Sequence, residues 1–451
     1  MLSVLTLRAQ QPQVRWETTG EVLMRLLEMA AYSEDIKDAY EAFYYAFILP
    51  ELGEGRDPHA PPSVHHESFH LTVCSQSLPK AYSLSYPDTL PLDARCGSPN
   101  ALTKHVPQFV SFMTDDHTPL EFSCVFDVDG RATIRFSIDP IERQREGGEP
   151  AMKVFEHYAS ILGISDADLA WCRVCAANLT MVTDAGPLKI YGRPRYPSQY
   201  FVGFELTGAT PSMKAYFLPE TISAATGISK YELVEATIRE LAQDAKGLLL
   251  AWSAINSFFC ALPDDLKPSP EIVAVDCCPS HRNRVKVYVR TPKVTLDIIR
   301  RFMTLDYTLK TPALEQALSS IAIFWDILFP GLPVDKEPEL SKQHTEHLTG
   351  GLLFYYELRG NSCNPYPKVY IPVRHLCKND EQIVEAMEQF YRAIGNLETT
   401  KKYHKIVRNT FTHRPLMSRT GIHTYIAVAA KADSIETTAY FNPERHHEWA
   451  A

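Results

Sequence analysis

Basic residues and tyrosines recur along this chain with the spacing of a β-strand. Lys214 precedes Tyr216 by two positions in MKAYFLP, and Lys368 precedes Tyr370 in the same way in PKVYIP. Because successive side chains of a strand point to opposite faces, residues at this spacing share one face. One such strand is more typical of a solvated surface, but the repetition favours a common site. Further members lie in other candidate strands, at Arg135, Arg284, Lys286, Tyr288, Tyr425, Lys431 and Tyr440.

This combination of side chains fits one kind of chemistry. Several cations that converge in a cavity require an anion, and a diphosphate offers many acceptors for charge-assisted hydrogen bonds from Lys and Arg. Tyrosine rings add π faces that stabilise a developing carbocation and keep water away from it. A leaving diphosphate beside a carbocation is what prenyl transfer requires, so the pattern indicates a prenyltransferase.

A lone carboxylate, Glu121 in HTPLEFSCVF, lies in a candidate strand among apolar neighbours. Inside a cavity it could hold the N–H or O–H of an aromatic acceptor and take the proton as the ring attacks the cation. A polar residue at the end of a strand is an equally good interpretation of the sequence alone.

Two sequence patterns bear on whether the protein needs a metal ion. The chain has no D-D-x-x-D motif, so Lys and Arg would neutralise the diphosphate and no metal cofactor is required. His66 and His70 match H-E-x-x-H, but that zinc motif needs a helix and a third ligand. Here it follows two prolines in an irregular stretch, and nothing positions His344 or His347 as further ligands. We therefore expect no metal site, and a zinc hydrolase is the least favoured alternative.

Paired extended segments, each pair followed by amphipathic helices, predict the elements that position these residues. The predicted strands are 119–127, 132–138, 199–207, 212–218, 271–277, 284–290, 352–358, 367–373, 421–430 and 435–441. The predicted helices are two within 16–49 and others near 151–162, 230–246, 294–303, 312–329 and 380–394.

The apolar faces of the strands indicate how these elements pack. Val285, Val287 and Val289 alternate with basic residues and a tyrosine, so helices on the apolar face would leave the other face inside a barrel. The predicted fold class is α+β, a ten-stranded antiparallel β-barrel surrounded by a ring of α-helices. We expect a single domain over 1–451, with an atypical loop insertion at 54–105 that is rich in Pro, His and Ser.

Composition narrows the partners and the compartment. The formal net charge of −9 argues against a nucleic acid or an anionic membrane as partner. No apolar run is long enough to cross a bilayer, and the N-terminus lacks the features of a cleaved signal peptide. The ten cysteines are scattered, which favours free thiols in a cytoplasmic protein.

These segments together, in this order, resemble the fungal aromatic prenyltransferases of the dimethylallyltryptophan synthase family. The resemblance covers nearly the whole chain. It is carried by Trp16 to Gly20, Pro50 to Gly53, PLEFS at 119–123, MKAYFLP, AVDCCPSHRNRVKVYVRT, PKVYIPVRH and GIHTYIAV. It implies the ABBA barrel, ten antiparallel strands inside a ring of helices. It also implies metal-independent prenyl transfer in secondary metabolism such as alkaloid biosynthesis.

The resemblance also implies roles for individual residues. Glu121 matches the catalytic glutamate, and Phe112 and Met113 match the lining of the acceptor pocket. The diphosphate would be bound by Arg135, Lys214, Arg284, Lys286, Lys368 and Lys431. The cation would be shielded by Tyr216, Tyr288, Tyr370, Tyr425 and Tyr440.

Four departures from the family pattern accompany these matches. The 54–105 insertion is longer than usual, and extra residues after Glu121 make Arg131 a weaker rival of Arg135. MTLDYTL replaces a segment that usually carries two glycines. The second basic residue of tryptophan-specific members has no counterpart near Gln199 or Phe201, which argues against free tryptophan as acceptor.

We predict Friedel–Crafts transfer of a prenyl group from a prenyl diphosphate to an electron-rich aromatic acceptor, which is either an indole or a phenolic or polyketide ring. Dimethylallyl is the favoured prenyl group. A non-catalytic barrel that binds an anionic aromatic ligand is the alternative from another class. A homodimer, the identity of the acceptor and the regiochemistry stay open at this point.

Overall fold

The computed structural model describes residues 16–53, 55–56, 106–107, 110–127, 130–144, 149–181, 192–339, 349–431 and 434–446. The expected insertion lies outside these ranges, apart from a two-residue strand, Gly55–Arg56, that pairs with Val106–Pro107. The candidate zinc ligands also lie outside them, at His66, His70, His344 and His347.

Ten antiparallel strands form a closed barrel in the order in which they occur along the chain. They are β1 Leu120–Phe126, β2 Ala132–Ile138, β3 Tyr200–Glu205, β4 Ser212–Phe217, β5 Ser269–Asp276, β6 Arg284–Thr291, β7 Leu352–Arg359, β8 Tyr366–Ile371, β9 His423–Lys431 and β10 Ser434–Phe441. The predicted strands are confirmed, with bounds that differ by at most two residues.

The barrel closes where β10 pairs with β1, with Tyr440 opposite Ser123. Closure leaves no unpaired edge strand in the barrel. Because neighbouring strands are antiparallel, odd-numbered strands begin and even-numbered strands end at the same end of the barrel. Residues far apart in sequence, such as Glu121 and Tyr440, therefore lie at one end.

Helices surround the barrel. They are α1 Glu21–Met29, α2 Glu34–Phe43, α3 Ile141–Gln144, α4 Ala151–Leu162, α5 Ala170–Leu179, α6 Glu220–Thr226, α7 Lys230–Leu241, α8 Gly247–Ala261, α9 Leu296–Thr304, α10 Pro312–Leu328, α11 Val373–Leu376, α12 Asp380–Ala393 and α13 Leu397–Thr410. The predicted α+β barrel inside a ring of helices is confirmed.

The hydrophobic core fills the space between barrel and helices. Val285, Val287 and Val289 of β6 are completely buried in it. Phe302 of α9 stacks on Phe354 of β7 with ring centroids 4.9 Å apart. The apolar strand faces thus point outward to the helices, which turns the polar faces into the barrel interior.

The segment that lacks the usual glycines has a distinctive backbone. Leu305, Asp306 and Tyr307 follow α9 with φ values of 49°, 55° and 66°. Residues other than glycine are sterically strained in this left-handed region. Nothing in the described ranges of the chain forms a helix that is long and apolar enough to cross a membrane.

Candidate active site

The barrel interior is layered along its axis. Charged residues lie near one end of the barrel, here called the charged end. The strand register places Lys214 opposite Asp276, Lys286 opposite Glu357 and Lys368 opposite Ala429 at this level. Tyrosines follow toward the middle. Glu121 lies near the opposite end, here called the Glu121 end, because it begins β1.

At the charged end, each predicted diphosphate-binding residue has a carboxylate partner. The Arg135 Nε and Lys214 Nζ atoms lie 2.7 and 2.8 Å from Glu205 Oε2. Arg284 contacts Asp276 at 2.6 Å and Glu357 at 3.0 Å. The sequence interpretation missed these carboxylates.

The other basic residues of this layer also lie close to carboxylates. Lys286 Nζ lies 3.8 Å from Asp276, whereas Lys368 and Lys431 lie 3.2 and 3.0 Å from Glu436. Arg359, which was also missed, lies 2.6 Å from Glu357. Seven basic side chains therefore share four carboxylates, which leaves an excess of three positive charges in this layer when all seven are protonated.

Burial perturbs two of the lysines. Burial lowers the pKa of Lys286 to about 7, although Asp276 acts in the opposite direction. Burial likewise lowers the pKa of Lys368 to about 8 against the effect of Glu436. Both ammonium groups are poorly solvated, so an anion that enters this layer would stabilise their charged forms.

Six tyrosines form the middle layer. The ring centroids of Tyr288 and Tyr370 are 6.0 Å apart, and Tyr370 lies 5.3 Å from Tyr440 and 5.9 Å from Tyr425. Tyr216 lies 6.3 Å from Tyr288. The five predicted tyrosines thus line one enclosed space, where their π faces could surround a cation.

The sixth tyrosine, Tyr355 of β7, was missed. Its ring lies 5.3 Å from that of Tyr288, and the Nζ atoms of Lys286 and Lys368 lie 5.8 and 5.9 Å from its centroid. Tyr355 therefore joins the charged layer to the tyrosine layer. Its neighbour Tyr356 faces outward and donates a hydrogen bond to the Phe302 carbonyl.

Glu121 is held at its own end of the barrel by Thr424, whose Oγ1 donates a 2.6 Å hydrogen bond to Oε1 of the carboxylate. Burial raises the pKa of Glu121 to about 8, against the hydrogen bond from Thr424 and together with the negative charge of Asp115. A carboxylate whose pKa lies close to the working pH is suited to proton transfer.

An apolar wall lies at the same end of the barrel as Glu121. Phe112 stacks on Tyr196 with centroids 3.8 Å apart, and both cluster with Met113, Phe201 and Leu218. The expected acceptor-pocket residues Phe112 and Met113 are thus placed together, while Tyr196 and Leu218 were missed. An aromatic acceptor could lie against this wall.

Asp139 fixes the two segments that build the wall. Its Oδ2 accepts hydrogen bonds from Ser111 at 2.7 Å and Ser198 at 2.6 Å. The Phe112 N–H donates to the Ser198 hydroxyl at 3.2 Å. The segments around Phe112 and Tyr196 are therefore locked relative to each other.

The geometry distinguishes Arg131 from Arg135 as the residue of the charged end, and it also separates Phe201 from Gln199. Arg131 is exposed on the turn before β2, whereas Arg135 faces the interior and pairs with Glu205. Phe201 faces the apolar wall, while Gln199 accepts a hydrogen bond from the Met181 N–H outside the barrel. Position 201 therefore contributes an apolar ring to the site where a basic residue was considered.

A cleft of about 880 Å³ borders the charged end and includes Asp276, Arg284 and Arg359 in its lining. Within the described ranges, no three His, Cys, Asp or Glu side chains are grouped in a way that could hold a metal ion.

Residues 97–405 match the family model described as tryptophan dimethylallyltransferase. The chain is 31% identical over 438 residues to a 4-O-dimethylallyl-L-tyrosine synthase of Claviceps purpurea, which covers 95% of this chain and 87% of the relative. It is 28% identical over 454 residues to a 7-dimethylallyltryptophan synthase of Aspergillus fumigatus, with 95% and 84% covered.

Solved structures share the fold. The crystal structure of AnaPT from Neosartorya fischeri superposes with a TM-score of 0.70 at 20% identity, covering 96% of this chain and 94% of that one. The crystal structure of NotF in complex with brevianamide F and DMSPP gives a TM-score of 0.71 at 17% identity, with 96% and 95% covered.

Proposed function

Because the chain belongs to the tryptophan dimethylallyltransferase family and is an aromatic prenyltransferase, we propose that it transfers dimethylallyl from dimethylallyl diphosphate to an indole or phenol ring in secondary metabolism. The observation that carries the proposal is the order of layers along the barrel axis. Along this axis the basic residues would hold the diphosphate, and the tyrosines would surround the allyl cation. Glu121, at the other end, would take the proton that the acceptor loses. The free cysteines of the described ranges support a cytoplasmic enzyme.

The charged end is the proposed donor site. With all seven basic groups protonated, its excess of three positive charges is of the order of the charge on an organic diphosphate. Arg135, Lys214 and Arg284, with Lys286, Lys368 and Lys431, would stabilise the diphosphate as the C1–O bond breaks and the bonding electrons leave with oxygen. Neutralisation by these side chains makes a metal ion unnecessary in this proposal.

The later steps follow the axis of the barrel. The allyl cation forms among the tyrosine rings, which stabilise it through their π faces and exclude water. The acceptor lies against the Phe112 wall and attacks C1 or C3 of the cation. Glu121 accepts the proton that the acceptor loses, so the ring regains aromaticity or the phenol oxygen becomes an ether.

Glu121→Gln tests this assignment. The amide cannot accept the acceptor proton, so we expect kcat to fall by about 100-fold or more with little change in donor affinity. The measurement is formation of prenylated product from dimethylallyl diphosphate and a panel of indoles and phenols, in excess chelator, followed by mass spectrometry.

Glu315→Gln serves as the matched control, because Glu315 is exposed on α10 far from the barrel interior. This control should keep full activity. Product formation that requires an added divalent metal would contradict the metal-independent part of the proposal. Donor binding without turnover on any acceptor, in the unaltered chain as well as in Glu121→Gln, would instead indicate a binding protein.

A further inference from the structure

Thr424 reaches the interior of the barrel because β9 is irregular near its start. Between two regular pairs of β9 with β10, Thr424 and Tyr425 lie opposite the single residue Tyr440. Regular alternation from Ala427 and Tyr425, which face the interior, would turn Thr424 toward the helices. The extra residue forms a β-bulge, and a bulge changes the direction of side chains at this point. The side chain of Thr424 can therefore point inward next to that of Tyr425.

The inward hydroxyl of Thr424 contacts the proposed base. Its Oγ1 donates a 2.6 Å hydrogen bond to Oε1 of Glu121, and Thr424 is only 1% exposed. β10 lies between β9 and β1, so this hydrogen bond joins two strands that do not pair with each other. Among the described residues, no second donor gives a hydrogen bond to this carboxylate. The lone pairs of Oε2 therefore stay available to accept a proton.

The same bulge places Tyr425 in the tyrosine layer. Its hydroxyl donates a hydrogen bond to the Thr349 carbonyl at 3.1 Å and accepts one from Arg290 Nη1 at 3.2 Å. Its ring centroid lies 5.9 Å from that of Tyr370. Because Thr424 and Tyr425 are consecutive, one anchored peptide unit fixes the hydroxyl that holds the base relative to a ring that would stabilise the cation.

We propose that Thr424 is a positioning residue for prenyl transfer, and that it holds Glu121 through Oε1 so that Oε2 accepts the proton of the acceptor. An O–H bond forms at Oε2, and the bond that breaks leaves its electron pair on the acceptor. The hydrogen bond from Thr424 is stronger to a carboxylate than to a carboxylic acid, so it favours the form that acts as a base. This inference rests on the proposed function, in which Glu121 is the base.

Asp115 is the charged group that faces Glu121 from the segment before β1. Burial raises the pKa of Glu121 to about 8, and the negative charge of Asp115 acts in the same direction. Asp115 is paired with Arg374 Nε at 3.0 Å and with His375 Nε2 at 3.2 Å. Against the effect of burial, these two partners hold the pKa of Asp115 well below its usual range. The charge of Asp115 is therefore constant while Glu121 titrates.

Two phenols face Glu121 from β9 and β10. Burial raises the pKa of Tyr425 to about 12, and the charge of Glu121 adds to this shift. Burial also raises the pKa of Tyr440, again together with Glu121. Both phenols stay neutral where Glu121 titrates, so the Thr424 hydrogen bond is the contact that lowers the pKa of Glu121 against burial.

Thr424→Val tests the inference because it removes the hydroxyl and keeps the shape of the side chain. kcat is measured from about pH 6 to 10 at saturating donor and acceptor, so the acid limb reports Glu121 in the bound complex. A bound diphosphate keeps Lys286 and Lys368 charged in this range. Loss of the hydrogen bond should move the limb to higher pH by about 1 unit, which lowers kcat at pH 7 by about 10-fold. Thr424→Ser keeps the hydroxyl and should keep the profile.

Thr237→Val is the matched control. The Thr237 hydroxyl is buried in α7 and donates to the Leu233 carbonyl at 2.8 Å, so its loss should leave the pH profile unchanged. Binding of a non-hydrolysable donor analogue reports whether each variant is folded. A fall in kcat of Thr424→Val that is equal at every pH would overturn the inference, since a merely structural role would not move the limb.

A double-mutant cycle shows whether Thr424 acts through the carboxylate. In the Glu121→Gln background, Thr424→Val should change kcat by less than about 2-fold, because no carboxylate is left to hold. The same loss in both backgrounds would refute the role of Thr424 and leave Glu121 as the base.

Failure of the proposed function gives different results. Full activity of Glu121→Gln would remove Glu121 as the base, and the role of Thr424 with it. Absence of product with every donor and acceptor in the unaltered chain would refute prenyl transfer as well. Reduced activity of Glu121→Gln together with an unshifted profile of Thr424→Val would refute this inference alone.

Discussion

Lys286 and Lys368 should take up protons when the diphosphate binds. Burial lowers their pKa values to about 7 and about 8, so at pH 8 Lys286 lacks about 0.9 of a proton and Lys368 about 0.5. A diphosphate between them favours the ammonium forms and raises both pKa values. We therefore expect uptake of about 1.4 protons for each donor molecule bound at pH 8.

Titration calorimetry with a non-hydrolysable donor analogue measures this number, since the apparent enthalpy depends on the ionisation enthalpy of the buffer in proportion to the protons exchanged. At pH 6 both lysines are already charged, and the uptake should fall to about 0.1 proton. In Lys286→Met, about 0.5 proton should remain at pH 8. Uptake that is near zero at pH 8, or equal at pH 6 and pH 8, would refute the reasoning.

Two further substitutions test the tyrosine layer and the backbone. Tyr355→Leu should lower kcat by about 10-fold because a π face near the cation is lost, whereas Tyr355→Phe should keep it; an equal loss in both, measured at saturating donor, would contradict the role of the ring. Tyr307→Gly should raise the free energy of unfolding by about 1 kcal/mol, measured in urea, because φ is 66° at this exposed residue; a lower stability would contradict the argument from backbone strain.

The strands could be predicted because the barrel has two chemically different faces. In β6, Val285, Val287 and Val289 pack against the helices at every second position, and this alternation predicts both the strand and its orientation. Two long helices were missed for different reasons. α8 is apolar almost all round, so it shows little helical period. α13 is polar on average, and the helical spacing of its few buried residues, Tyr403, Ile406 and Val407, was overlooked.

The site was predicted in part for the same reason. Basic residues and tyrosines two apart are visible in a single strand, but partners on neighbouring strands depend on the register between them. Glu205, Asp276, Glu357 and Glu436 were missed because each lies on a different strand, and the register between strands brings it to basic residues of another strand. Tyr355 was hidden in a tyrosine doublet, since only the register shows which of the two rings faces inward.

Glu271 lies where the regular alternation of inward and outward side chains along β5 is interrupted. In a regular β5 the inward positions include Ile272, Ala274 and Asp276, so Glu271 would face the helices. The irregular register between Pro270 and Ile272 breaks this rule, and an extra residue at such a point changes the direction of its side chain.

The four carboxylates of the charged end explain how so many cations persist in one layer. Without an anion, seven basic groups inside a barrel would repel one another, and burial would neutralise more of the lysines than Lys286 and Lys368. Glu205 and Asp276 each hold two cations in place before the donor arrives, so little reorganisation remains when the diphosphate binds. Because the basic groups outnumber the carboxylates by three, the layer is both preorganised and still attractive to an anion. Closure of the barrel through β10 and β1 keeps this register, since a slip of one residue would turn the cations toward the helices.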